Sequence, residues 1–203
     1  MDVETNGGVS FWYSDIGGVP AYRPPLDGDA QADVCIVGAG YTGLWTAYYL
    51  KKADPALRII VVEQKFAGFG ASGRNGGWLS GGLSWAREKY LASGTRDSVI
   101  DMERAMIGAV DEVIAVAAAE GIDADIRRTD TLTVASTPAQ MQRLRDSCEK
   151  SAQWRTPEGR YSLIGRDDVL ARIRVECALG ALVTHGVARV QPAKLVRGLA
   201  AAV

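Results

Sequence analysis

The chain has 203 residues, 47% of them hydrophobic and 23% charged, with a formal net charge of −1. That length holds one good-sized core or parts of two domains, and the charge balance offers no basic field for nucleic acid or an anionic membrane surface. Apolar stretches such as Val113 to Ala119 fall far short of the ~20 residues that cross a bilayer.

Residues 1–30 read as an extended arm. Pro20, Pro24, Pro25 and several glycines oppose regular structure, and Phe11-Trp12-Tyr13 is an apolar anchor expected to pin the arm to a domain surface. A strand is expected over 33–38, as a continuous apolar run of the kind buried on both faces of a parallel sheet. A helix over 41–53 follows, with Leu44, Ala47, Tyr48 and Leu50 at near-helical spacing and Asp54-Pro55 as its stop. Trp45 and Tyr49 are expected to pack rather than to touch a ligand. A second strand over 58–63 should lie parallel beside the first.

Residues 68–82 are too glycine-rich for a strand. A helix over about 97–120 carries Val99, Met102, Met106, Val110, Val113, Ile114 and Ala117 as its apolar stripe and ends on Gly121. Thr129 to Ala135 alternates as a strand does. Thr137 caps, and Pro138 opens, a polar helix to about Trp154. A short helix near Asp167, a strand over 181–184 and a last helix from Pro192 complete the reading. The domain division expected is an arm (1–30), the first part of a nucleotide-binding domain (31–125), the start of a substrate region (126–185) and a return to the first domain (186–203).

The chemistry concentrates in Val34-Cys35-Ile36-Val37-Gly38-Ala39-Gly40-Tyr41-Thr42-Gly43, with Glu63 closing the next strand. Strand, G-x-G-x-x-G, helix, strand and acid form a dinucleotide-binding fingerprint. Gly38 permits the tight turn, Gly40 lets backbone approach a pyrophosphate, and Gly43 lets the helix lie close on the sheet. The helix N-terminus offers N–H groups to phosphate, and Glu63 can accept hydrogen bonds from ribose hydroxyls. The spacing alone is weak, because Gly68-Phe69-Gly70-Ala71-Ser72-Gly73 repeats it. Only the first match joins a strand directly to an apolar helix. An acid at Glu63 disfavours a 2′-phosphate, which leaves FAD or NAD.

The loop 68–82 bears on that choice. Gly73, Gly76 and Gly77 remove side chains where a flavin would need close backbone approach. Ser72 and Asn75 can hydrogen-bond ribityl or phosphate oxygens, and Arg74 can neutralise phosphate charge. Taken alone, the same residues read equally well as a mobile surface loop with a solvated arginine.

The glycine fingerprint, Val62-Glu63 and the run Gly70-Ala71-Ser72-Gly73-Arg74-Asn75-Gly76-Gly77 together resemble the D-amino-acid oxidase-like family of FAD-dependent oxidoreductases. The branch most similar includes gamma-glutamylputrescine oxidase. Phe11-Trp12-Tyr13 with Pro24-Pro25, and Val190-Gln191-Pro192-Ala193-Lys194-Leu195, also resemble that branch. The resemblance implies an α/β fold: a Rossmann-like FAD-binding domain with a parallel sheet, and the beginning of an interleaved α+β substrate domain. It implies FAD as cofactor, held by Gly38, Ala39, Gly40, Tyr41, Thr42, Gly43, Glu63, Gln64, Ala71, Ser72, Gly73, Arg74, Asn75, Gly76 and Gly77. The implied reaction oxidises the C–N bond of an amine or amino acid by hydride transfer to flavin N5, with oxygen or another carrier as electron acceptor.

Family members continue well past this length, and Ala201-Ala202-Val203 ends inside a helical pattern. The chain is therefore expected to be a truncated or N-terminal portion, holding FAD weakly and not turning over an amine by itself. No catalytic residue is assigned, and the lone His185 is expected to be structural. Cys35, Cys148 and Cys177, odd in number and widely spaced, are expected as free or buried thiols in a cytoplasmic setting, with no metal site. The alternatives are an NAD-dependent dehydrogenase and a non-catalytic remnant with a partial nucleotide site.

Overall fold

A computed structural model describes residues 8–203, so the arm before residue 8 lies outside the described residues. The chain divides into two compact units. The first takes residues up to Trp78, Ile114–Ile126 and Val190–Val203; the second takes Leu79–Val113 and Arg127–Arg189. Residues 79–113, grouped by the sequence reading with the nucleotide-binding part, thus belong to the second unit.

In the first unit, strand β1 (Val34–Val37) pairs in parallel with β2 (Ile59–Val62), in a register running from Val34↔Ile59 to Val37↔Val62. Between them runs α2 (Tyr41–Ala53), which closes on an extended Asp54 just before Pro55. Leu44 and Ala47 are buried on its inner face, and Leu44 shares a core with Ala39, Val196 and Leu199. The last two come from α7 (Pro192–Ala202), opened by Pro192 and by the Gln191 side chain accepting the Lys194 N–H. The expectation that residues 33–38 are buried on both faces is corrected. Exposure alternates along β1, and Val37 is 86% exposed. With two strands here among the described residues, the face bearing Ile36 and Val61 is covered by α2 and its core, while Cys35 and Val37 face outward.

The arm is not extended throughout. Phe11–Asp15 forms one helical turn, α1, with Tyr13 fully buried and Phe11 62% exposed. Tyr13 packs edge-on against Phe66 at 5.3 Å between ring centroids. The anchor is thus Trp12 and Tyr13; Phe11 stays largely exposed, its ring edge-on to Trp12 at 5.4 Å between centroids. The glycine loop contains a 3-10 turn (Ala71–Gly73) and the two-residue strand β3 (Trp78–Leu79).

In the second unit, β6 (Gly180–Arg189) is central. It pairs antiparallel with β4 (Arg127–Ala135) on one side and with β5 (Tyr161–Gly165) on the other, both using residues 180–184. α5 (Pro138–Gln153) opens with a full capping box: Thr137 takes the Gln140 N–H and the Gln140 side chain reaches back to the Thr137 N–H. α6 (Arg166–Arg172) buries Val169 against Ala178 and Ala181. The charged helix α3 (Arg87–Tyr90) was not expected from the sequence, nor was β5.

Helix α4 (Arg96–Ala119) supplies residues to both units. Gly121 ends it with φ +65°, and the Ile122 N–H returns to Ala117 O at 2.8 Å. Its expected stripe holds at Val99, Val110 and Ala117 but not at Met106, which is 42% exposed. The buried position is instead Glu103, 5% exposed, which receives both Nε and Nη2 of Arg87 at 2.9 and 2.5 Å.

Candidate dinucleotide site

The site is built where β1 turns into α2. Gly38 continues the strand ladder, its N–H donating to Val62 O at 2.7 Å, and then takes φ +103°, a conformation open to glycine at low cost. A side chain at Gly43 is excluded outright: a Cβ there would stand 2.1 Å from Gly38 O and 3.1 Å from Ile36 Cγ2. That contact is how closely the helix start sits on the turn. Gly40 is the N-cap and makes no side-chain cap bond. The first helical bond is Leu44 N–H to Gly40 O, so the N–H groups of Tyr41, Thr42 and Gly43 precede the ladder. Tyr41 N–H donates to Ser72 Oγ at 2.9 Å.

Glu63, immediately after β2, is joined to this turn. Its Oε2 accepts the Ala39 N–H at 2.9 Å and its Oε1 accepts the Lys65 N–H at 3.1 Å. Each carboxylate oxygen keeps further acceptor capacity. Gln64 beside it is exposed.

The glycine loop is tied to the same turn at two points, Gly68 N–H to Ala39 O at 3.0 Å and the Tyr41–Ser72 bond. Within it, Asn75 is spent on bracing: Nδ2 donates to Ser72 O at 2.9 Å and Oδ1 accepts the Gly77 N–H at 2.8 Å. Arg74 folds back, its Nε donating to Phe69 O at 2.7 Å and its guanidinium lying 4.5 Å over the Phe69 ring. Ala71 and Gly76 are exposed, and Gly73 and Gly77 are buried. The reason for those two glycines differs from the one read in the sequence. A Cβ on Gly73 would meet Gly68 O at 2.3 Å and Tyr13 at 2.7 Å; one on Gly77 would meet Val190 O at 2.5 Å. The chain's own backbone and its arm occupy that space. Burial pushes the Tyr41 hydroxyl far above the usual phenol range; it donates to Pro192 O at 3.0 Å.

His185, expected to be structural, has two side-chain partners. Its Nδ1 lies 3.0 Å from Asp130 Oδ1 and its Nε2 2.8 Å from Ser162 Oγ, a tie across β4, β6 and β5. Asp130 also lines a cavity of about 620 Å³ with Arg128, Leu132, Arg172 and Ile173, within the second unit. Among the described residues no group of three His, Cys, Asp or Glu side chains could hold a metal ion, and no helix is long and apolar enough to cross a membrane.

A glycine turn feeding an open helix N-terminus, with an acid after the neighbouring parallel strand, defines a dinucleotide-binding fold of the Rossmann kind. The chain belongs to the FAD dependent oxidoreductase (DAO) family, whose model matches residues 33–203. That family binds FAD, so the NAD alternative falls away. The chain is similar to a Haemophilus influenzae protein named "Probable oxidoreductase OrdL", at 39% identity over 41% of this chain and 19% of the relative. It is 42% identical to the gamma-glutamylputrescine oxidoreductase of Escherichia coli, over 35% of this chain and 16% of the relative. A thiamine thiazole synthase of Aspergillus oryzae is 48% identical over 30% of this chain and 17% of its own length. Among solved structures, glycine oxidase from Bacillus cereus superposes with a TM-score of 0.65 over 84% of this chain and 43% of the oxidase. At 19% identity that likeness speaks to the fold. Less than half of each of these proteins' own length is covered.

Proposed function

We propose that the turn at Gly38–Gly43 and the loop 71–77 hold FAD in an oxidoreductase that oxidises the C–N bond of an amine or amino acid. The observation that carries the cofactor site is the start of α2, where the Thr42 and Gly43 N–H groups precede the helical ladder, Gly43 lies against Gly38 O and Ser72 crosses from the loop to the Tyr41 N–H. These residues fit the group: backbone donors gather at a helix N-terminus, the side chain that reaches it is the small Ser72 hydroxyl, and an acid stands beside them. In this reading Gly38, Ala39, Gly40, Tyr41, Thr42 and Gly43 face the pyrophosphate. Glu63, with Gln64 beside it, accepts from the adenosine ribose. Ala71, Ser72, Gly73, Arg74, Asn75, Gly76 and Gly77 border the flavin side, and Arg74 must leave Phe69 to reach a phosphate.

The bound flavin would supply the two-electron acceptor for hydride from the carbon bearing the nitrogen. Oxygen or another carrier would then take the electrons. The amine assignment draws support from the names gamma-glutamylputrescine oxidoreductase and glycine oxidase. The thiazole synthase matches a segment of similar length, so short stretches of likeness do not by themselves choose the substrate. The free thiols of Cys35, Cys148 and Cys177 accord with a reducing, cytoplasmic setting. The first unit would serve the cofactor and the second the substrate.

The test uses the natural protein that carries this sequence. FAD binding should be competed by ADP and not by FMN, and Glu63→Ala should weaken FAD by about 1.5–3 kcal/mol if its bonds are charge-assisted. Mixed anaerobically with polyamines and amino acids, the flavin should bleach; with simple alcohols it should not. Competition by FMN alone would sink the site, and bleaching by alcohols but no amine would sink the reaction.

A further inference from the structure

Two carbonyls of the glycine loop, Gly73 O and Asn75 O, are both taken by the N-terminal arm. Ser10 Oγ donates to Gly73 O at 2.8 Å, and Trp12 Nε1 donates to Asn75 O at 2.7 Å. The fully buried Tyr13 fills the space that side chains on Gly68 and Gly73 would need, and the Trp12 ring lies 3.4 Å from where a Cβ on Gly77 would be. The arm is itself fastened from behind. Gln191, 3% exposed, donates from Nε2 to Trp12 O at 2.8 Å and to the Asp15 carboxylate at 3.2 Å.

Ser10 makes an unusual choice. It is the N-cap of α1, with extended backbone (φ −159°, ψ 162°), where a serine oxygen ordinarily accepts an N–H of the first turn. It makes no such bond, and its hydroxyl is committed to the loop instead. The consequence for the loop follows from peptide geometry. In a trans peptide the carbonyl of one residue and the N–H of the next point to opposite sides. Drawing Asn75 O to Trp12 therefore turns the Gly76 N–H away from the arm. Gly76 is exposed, and among the described residues its N–H donates to no protein acceptor.

We propose that Ser10 and Trp12 are positioning residues for the cofactor loop, holding two of its carbonyls so that the Gly76 N–H is presented to an oxygen of bound FAD. The proposal rests on the FAD-binding reading of this loop. The arm then acts as a strap that organises the loop before the cofactor arrives, and part of the FAD affinity resides in side chains that do not touch FAD.

The test compares Trp12→Phe, Ser10→Ala and Ser10→Thr with the parent in the natural protein that carries this sequence. FAD dissociation constants come from flavin fluorescence, amide hydrogen exchange is followed over residues 72–77, and the apoprotein is melted in parallel. Trp12→Phe keeps a ring against Gly77 and loses one donor, so FAD should bind about fivefold more weakly. In the FAD-loaded protein, exchange should speed up at Gly76, and at Gly77, whose N–H is held by Asn75 Oδ1. Ser10→Ala should act likewise, and Ser10→Thr, which keeps the hydroxyl, should restore both readouts. Unchanged affinity and exchange in Trp12→Phe and Ser10→Ala would overturn the proposal. So would a loss of affinity that only parallels a lower apoprotein melting temperature and is not restored by threonine. A Gly43→Ala control separates the two readings: FAD binding indifferent to Gly43 would remove the turn site itself, whatever the strap variants do.

Discussion

Gly43→Ala is the sharpest test of the turn. The added methyl would stand 2.1 Å from Gly38 O, over 1 Å inside the closest ordinary C···O approach. The obstacle is backbone, so no side-chain rotation relieves it. Overpacking of this kind costs about 1–3 kcal/mol. The site is the third residue of α2, and alanine there regains about 1 kcal/mol of helix propensity, which leaves a net loss of roughly 0–2 kcal/mol. Gly40→Ala is the natural comparison, because its Cβ meets only Ser72 Oγ at 3.0 Å, a hydroxyl that can rotate. Relief at Gly43 comes by lifting α2 from the turn, which would move the Thr42 and Gly43 donors away from a bound phosphate. FAD affinity should therefore fall at least tenfold, about 1.4 kcal/mol. Thermal unfolding with and without FAD, on both variants, reads the two effects separately. A Gly43→Ala protein with parental melting temperature and parental FAD affinity would refute the reasoning, as would Gly40→Ala proving the more damaging.

Two further predictions concern ion pairs. Glu103 and Arg87 are 7% and 17% exposed at their side chains, so Glu103→Ala strands a guanidinium and should cost about 3–5 kcal/mol in urea unfolding; an Arg87→Met, Glu103→Leu pair should recover most of it, and a loss below about 1 kcal/mol for Glu103→Ala would show that the pair is not desolvated in solution. Asp33 is held down to about 2, first by the Arg58 side-chain hydrogen bond and then by the Arg58 backbone N–H. Its folded value is thus below the unfolded one, so its small stabilisation is complete above the ordinary carboxylate range and is lost as pH falls toward 2. Carboxyl NMR should put the Asp33 midpoint near 2 and move it upward in Arg58→Ala; an identical midpoint in both would refute the pairing.

The sequence by itself determined the local pieces whose information is local. Gly38, Gly40 and Gly43 between two short apolar runs specified the β1–α2–β2 unit, because positive φ and close helix packing each demand glycine. Thr137 and Pro138 specified the start of α5, because capping is settled within four residues. Tertiary structure decided the rest. The pentapeptide Tyr161–Gly165 is a strand because β6 is there to pair with it, and strand preference is set largely by such neighbours. Gly73 and Gly77 looked small for a ligand's sake, yet the space beside them belongs to Tyr13, Val190 and the loop's own backbone. No spacing rule connects Ser10 to Gly73 or Trp12 to Asn75, each 63 residues apart. His185 likewise owes its two partners to the lateral order of three strands. A hydroxyl's choice between capping its own helix and holding a distant carbonyl depends on which acceptor the folded chain brings within 3 Å, and only the fold supplies that distance.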